Sequence, residues 1–151
     1  MVPLTMTTNG TIGALLHHKG SKVWTISDKA TVYEAIELLA DKNIGAIPVM
    51  AGDRLVGIFS ERDYARKVVL EGKSSRTTPV CEIISTPVLT VTSHHTIEEA
   101  MRLMTDKHIR HLPVMDGEKM VGLVSIGDMV NWIISAQTAT IEQMASYLAG
   151  R

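Results

Sequence analysis

Apolar residues recur along this chain in two alternating rhythms, and the whole alternation occurs twice. In residues 31–42, Val32, Ala35, Ile36 and Leu39 stand at the spacing of one helical face, behind a Thr31-x-x-Glu34 capping box. Ile97, Ala100, Met101 and Met104 repeat that spacing behind Thr96-x-x-Glu99. β-Rich runs at 23–27 and 88–92 precede these helices, and further runs at 46–50 and 111–115 follow them. Ala51-Gly52-Asp53 and Asp116-Gly117-Glu118 read as turns into strands at 55–59 and 120–124, because Gly in a short link between β-rich runs signals a hairpin. A second helix starts at Ser60 or Ser125, with Tyr64, Val68 and Val69, or Met129, Val130 and Ile133, facing inward. Each half therefore reads β-α-β-β-α.

The two halves are copies. Residues 31–50 reappear as 96–115, and the match runs without a gap to Asp63 and Asp128, at one offset of about 65 residues. Before each copy lies a short apolar segment. Thr11 caps a helix over 11–18 with Ile12, Leu15 and Leu16 inward, and 79–84 is its counterpart, with Thr78 as cap and Pro79 at the first helical position. Extra residues around Lys19, Gly20 and Ser21 lengthen the link into the first copy. Residues 1–10 are polar and aperiodic, a flexible N-terminus. Beyond the copies, Thr140 would cap a C-terminal helix over 137–151 whose stripe is Ile141, Met144, Ala145 and Leu148. That stripe either docks on its own chain or forms an oligomer contact. The expected organisation is thus 1–10, a first repeat over 11–78, a second over 79–136, and the final helix.

Composition narrows the class. The chain has 151 residues, so each half alone would be marginal, and the halves are expected to share a core. A net charge of -1 and a pI near 6.6 offer no basic face for nucleic acid. The single Cys81 excludes an internal disulfide framework and suits a reducing compartment. No apolar run is long enough to span a bilayer, and the first residues lack the features of a signal peptide. The expectation is a soluble cytoplasmic protein with no nucleic-acid or membrane partner.

Candidate chemistry sits where the third strand of each copy ends. Both copies place Ser, two residues and Asp there: Ser60-Glu61-Arg62-Asp63 and Ser125-Ile126-Gly127-Asp128. Ser-x-x-Asp at a helix start is a capping arrangement in its own right. The same geometry can also serve a ligand, since free amides and a hydroxyl receive phosphate oxygens and a carboxylate accepts two ribose hydroxyls. Other chemistry finds little footing. The His pairs show no zinc-ligand spacing, no Gly-x-Ser-x-Gly elbow surrounds either Ser, and no Walker or Rossmann fingerprint occurs. Trp24 is either a core residue or the wall of a ligand site. The expectation is no metal, no catalytic residue and no enzyme.

The runs Ile109-Arg110-His111-Leu112-Pro113-Val114 and Leu123-Val124-Ser125-Ile126-Gly127-Asp128 resemble the second half of a tandem CBS-domain (cystathionine beta-synthase domain) pair. Ile44-Gly45-Ala46-Ile47-Pro48-Val49 and Ile58-Phe59-Ser60-Glu61-Arg62-Asp63 supply the first half, and the resemblance spans about residues 12–135, as in small stand-alone bacterial CBS-pair proteins. It implies an α+β fold of two β-α-β-β-α repeats packed through their sheets about a pseudo-two-fold axis, with clefts for AMP, ADP, ATP or NAD. By the same resemblance, Asp63 and Asp128 hold ribose hydroxyls and Ser60 and Ser125 lie by the phosphate. Thr25, Ile44 and Ala46 frame the adenine in one half, and Thr90, Ile109 and His111 do so in the other. The copies differ where Gly45-Ala46 faces Arg110-His111 and where Glu61-Arg62 faces Ile126-Gly127, so Arg62 and Arg110 are candidate phosphate donors, with Lys19 and Lys22 as further ones. The two sites are therefore expected to be unequal. The resemblance further implies a homodimer and a regulatory role toward an unidentified protein target. The alternative is an interaction module that binds no nucleotide.

Overall fold

The structure is a computed structural model that describes residues 10–20, 22–84 and 86–148. Residues 1–9 of the expected flexible N-terminus, Ser21 in the first link, and residues 149–151 of the expected final helix lie outside the described residues. The chain divides into two compact units, Val23–Leu89 and a second made of Met1–Lys22 with Thr90–Arg151.

The first-repeat unit runs β1 (Ile26–Ser27), α2 (Val32–Lys42), β2 (Ala46–Ala51), β3 (Arg54–Ser60), α3 (Glu61–Asp63), a π-helical segment (Tyr64–Val69) and a 3-10 turn (Val80–Glu82). Its sheet has the order β1-β2-β3, with β1 parallel and β3 antiparallel to β2. The second-repeat unit holds α1 (Ile12–Lys19), β4 (Val91–Thr92), α4 (Ile97–Lys107), β5 (His111–Asp116), β6 (Lys119–Ser125) and α5 (Ile126–Leu148), with the sheet order β4-β5-β6. The internal geometry of the units matches closely. Ala46 pairs with Ser60 as His111 pairs with Ser125, and both middle strands shift register one step after their Pro-Val, at Val49/Met50 and Val114/Met115. Pro48 and Pro113 fit a middle strand because β1 and β4 join it only from Val49 and Val114 onward, so no ladder bond is asked of the missing N–H. The hairpin turns place Gly52 and Gly117 at φ 63, a region open to Gly without Cβ strain.

Local signals produce these elements. Both capping boxes form: the Thr31 and Thr96 side chains accept the N–H of Glu34 and Glu99, whose carboxylates accept the Thr N–H in return. The helices end in left-handed Asn43 and His108. Val32, Ala35 and Leu39 are buried with Ile36 half-buried, and Ile97, Ala100 and Met104 are buried with Met101 half-buried.

Several expectations are corrected. Each unit has its own cluster of buried side chains, and the two leading segments are exchanged between the units. Helix α1 precedes the first repeat in sequence but belongs to the second-repeat unit, where Ile12, Leu15 and Leu16 join the cluster of Leu112, Val114 and Trp132. The Ile12 N–H donates to His95 O at 2.8 Å and the Ile97 N–H to Gly10 O at 2.9 Å. Val80 and Ile83 fill the same role in the first-repeat unit, where the Val80 N–H donates to Ala30 O at 2.8 Å and the Val32 N–H to Thr78 O at 2.9 Å. Each compact unit thus holds one repeat together with the leading segment of the other.

Smaller differences follow from local geometry. The strands expected over 23–27 and 88–92 shrink to two residues each, because only those residues pair with a neighbour. The segment 79–84 is a single 3-10 turn with Pro79 outside it, extended at ψ 142. Val69 is exposed because the wider π turn breaks the 3.6-residue spacing, and Val130 is exposed because it lies one residue around from buried Met129. No break separates the second-repeat helix from the C-terminal one. Helix α5 is continuous, and Thr140, rather than capping, donates its hydroxyl to Ala136 O at 3.0 Å. Residues 141–148 are all exposed.

Candidate functional site

In each unit the last strand runs directly into a helix, and the Ser at the junction decides the local geometry. Ser60 is extended, at φ -129 and ψ 164, so its side chain can turn back onto the helix start. Its Oγ accepts the Asp63 N–H at 3.2 Å, while Asp63 Oδ2 accepts the Ser60 N–H at 2.9 Å and the Ser60 hydroxyl at 3.0 Å. In the other unit, Ser125 Oγ accepts the Asp128 N–H at 3.1 Å and Asp128 Oδ2 accepts the Ser125 N–H at 2.8 Å. Both Ser-x-x-Asp motifs are thus complete capping arrangements. The first helical amides are tied as well, with the Glu61 N–H donating to Gly45 O at 3.1 Å and the Ile126 N–H to Arg110 O at 2.9 Å. Those bonds set Gly45 and Arg110 against the two helix starts.

A lysine meets each carboxylate, but from a different place. In the first-repeat unit Lys67, one helical turn on, stands 3.3 Å from Asp63 Oδ1 and donates to Ile83 O at 3.0 Å. Asp63 thereby has both oxygens engaged. In the second-repeat unit Trp132 takes the position equivalent to Lys67 and is buried. The cation there is Lys19, the last residue of α1, whose ammonium contacts Asp128 Oδ2 and donates to Leu123 O at 2.9 Å. Among the described residues nothing bonds Asp128 Oδ1.

Of the other expected site residues, Ala46 and His111 lie directly opposite Ser60 and Ser125 on the neighbouring strands. Ala46 is buried, whereas His111 is half-buried; burial pushes its imidazole below the ordinary 6.5, opposed by the Asp128 carboxylate and reinforced by Lys19 and Arg110. Ile44 and Ile109 are half-buried at the ends of α2 and α4, each donating its N–H back to the helix, to Leu39 O and Met104 O at 3.0 Å. Arg62 and Arg110 are exposed beside the motifs. Thr25 and Thr90 precede β1 and β4, the first exposed and the second half-buried, and Lys22 is exposed. Trp24 is not a core residue: it is 39% exposed, with the Lys42 ammonium 4.1 Å from its ring centroid.

Lys67 was not singled out from the sequence, although its four-residue spacing from Asp63 is an ion-pair signal on a helix. Lys19 was expected as a candidate beside the first repeat, and the structure sets it at the second. Among the described residues, a Cβ on Gly127 would meet only Ser125 Oγ, at 3.6 Å, so these leave room above the second helix start. Among the described residues no group of three or more His, Cys, Asp or Glu gathers as a metal site, and no helix is long and apolar enough to cross a membrane.

Duplicated β-α-β-β-α units, each ending its last strand in a Ser-x-x-Asp cap, define a tandem-repeat module. The sequence profile of the CBS domain matches residues 19–70 and 80–135, and the chain belongs to the CBS-domain family. It is 38% identical over 136 residues to the CBS domain-containing protein CBSX3, mitochondrial, of Arabidopsis thaliana, covering 87% of this chain and 66% of that protein. Its fold is similar to that of a CBS-domain protein from Burkholderia ambifaria MC40-6, with a TM-score of 0.81 and 45% identity over 84% of this chain and 96% of the other. CBSX2, solved in complex with AMP, shares the fold at a TM-score of 0.67 and 24% identity, over 82% of this chain and 96% of that one.

Proposed function

We propose that this CBS pair is a regulatory module that binds adenosine nucleotides (AMP, ADP, ATP or NAD) at Asp63 and Asp128. The observation that carries this reading is the second-repeat site. There, a carboxylate whose Oδ1 takes no hydrogen bond from the described residues, a lysine ammonium and room over Gly127 stand together. A carboxylate suits a ribose diol, while the cations suit phosphate. Ser125, His111, Ile109, Arg110, Thr90 and Lys22 complete this site. Ser60, Arg62, Thr25, Ile44, Gly45 and Ala46 flank Asp63 in its counterpart. The module works as a cytoplasmic homodimer, and nucleotide binding shifts it between arrangements that a protein target reads, to the extent that the ligand prefers one of them.

A second reading has its own support. Both capping arrangements are complete within the protein, so Ser-x-x-Asp has a structural purpose without nucleotide. A thermal-shift series with AMP, ADP, ATP, NAD, NADH and S-adenosylmethionine separates the two. Asp63→Asn and Asp128→Asn keep one oxygen for the capping bond but lose the charge that draws a diol, so each is expected to abolish the shift from its own site. No stabilisation by any of these compounds at millimolar concentration would leave the interaction-module reading standing.

A further inference from the structure

Resting on the assignment of Asp128 as the ribose-binding carboxylate, one further residue acquires a role. Lys19 ends α1, and Gly20 at φ 98 terminates the helix immediately after it. Its side chain is 34% exposed, and its ammonium is divided between Asp128 Oδ2 and the Leu123 carbonyl. Oδ2 also accepts the Ser125 N–H, so this oxygen is crowded, while no hydrogen bond from the described residues reaches Oδ1. A ribose diol that spans both oxygens of the carboxylate competes with Lys19 for one of them. Losing that contact strips a partly desolvated ammonium of its counter-charge. His111 is no substitute, because it is held toward its neutral form, and Arg110 is a further cation. A neutral nucleoside brings nothing to replace the lost charge. A 5′-phosphorylated one does, beside the open space over Gly127.

We propose that Lys19 is a ligand-selecting residue. Its ammonium exchanges the Asp128 carboxylate for the phosphate of an incoming nucleotide, so the second-repeat site favours phosphorylated over neutral adenosine. The exchange is particular to this unit. In the other, the lysine sits on the same helix as its carboxylate and is anchored to Ile83 O.

The test is calorimetric titration of AMP and of adenosine into the full chain carrying Asp63→Asn, so that heat reports the Asp128 site, with and without Lys19→Met. The expected result is a ratio of AMP to adenosine affinity that falls about tenfold in Lys19→Met, through weaker AMP binding with adenosine binding unchanged or tightened. Lys19→Gln repeats the comparison with a polar uncharged side chain, and Lys19→Arg should keep the ratio. A merely structural lysine would weaken both ligands alike. An unchanged ratio in both uncharged variants overturns the selecting role while leaving nucleotide binding in place. Binding of neither ligand by folded Asp63→Asn protein overturns both.

Discussion

The pairing of Leu16 with Gly122 invites a compensation experiment. Leu16 is 7% exposed, and a Cβ built on Gly122 would stand 2.7 Å from both Leu16 Cδ1 and Cδ2 and 3.3 Å from Cγ. Leu16→Ala removes three carbons from the second-repeat core, worth about 2.4 kcal/mol at about 0.8 kcal/mol per buried methylene. The space left behind takes the loss toward about 3 kcal/mol or more. Gly122→Ala alone drives its methyl into Leu16 and should cost about 1–3 kcal/mol by overpacking. In the double variant the clashing atoms are gone and the new methyl fills part of the hole. The two costs should therefore fail to add by about 1–2 kcal/mol in the favourable direction. Urea unfolding followed by tryptophan emission reads this out in a Trp24→Phe background, where Trp132, only 2% exposed, reports the second-repeat unit. Additive costs within about 0.5 kcal/mol, or a Leu16→Ala cost of surface size, would refute the placement of α1 against β6.

Further outcomes follow from single observations. Ser60→Ala and Ser125→Ala each remove the oxygen that accepts a helix N–H and should lower stability by about 1 kcal/mol in urea titrations; no loss in either would mean the caps are idle. Because the folded protein holds His111 below 6.5, the unfolded chain takes up its proton first as pH drops. Stability should thus be undiminished above pH 6.5, decline below it, and stop declining once the folded group also protonates. His111→Gln should flatten this part of the urea-midpoint profile, and an unchanged profile would contradict it. Ending the chain after Thr140 removes 141–148, all of them exposed and including Ile141, Met144, Tyr147 and Leu148, and should change monomer stability by less than about 0.5 kcal/mol. If those side chains hold the proposed homodimer together, sedimentation will show the mass halved; an unchanged dimer mass would place that contact elsewhere.

What was legible in the sequence is what neighbours along the chain decide. Thr31 with Glu34 and Thr96 with Glu99 form their boxes as read, and Gly52 and Gly117 turn the hairpins, because those interactions span only a few residues. Ser60/Asp63 and Ser125/Asp128 were equally visible as capping motifs. The destination of α1 was not. Gly57 meets Ile84 as Gly122 meets Leu16, so the two sheets offer equivalent grooves to either leading segment, and local pattern cannot say which is filled. The contact between Lys19 and Asp128, 109 residues apart, inherits that ambiguity. The π-helical turn was hidden too, since its hydrogen-bond spacing leaves no mark in a pattern read at 3.6 residues.

The exchanged leading segments also order events during synthesis. A ribosome delivering about 5–20 residues per second produces α1 before either sheet, yet the sheet that shelters Leu15 and Leu16 is completed only when β6 has emerged. The first-repeat unit has a much shorter wait, because Val80 and Ile83 follow directly behind the strands they cover. One unit can therefore close while the chain is still growing. The other must keep the apolar side of α1 exposed until β6 has been made, and in that interval α1 is the segment most open to chaperones and to mispairing.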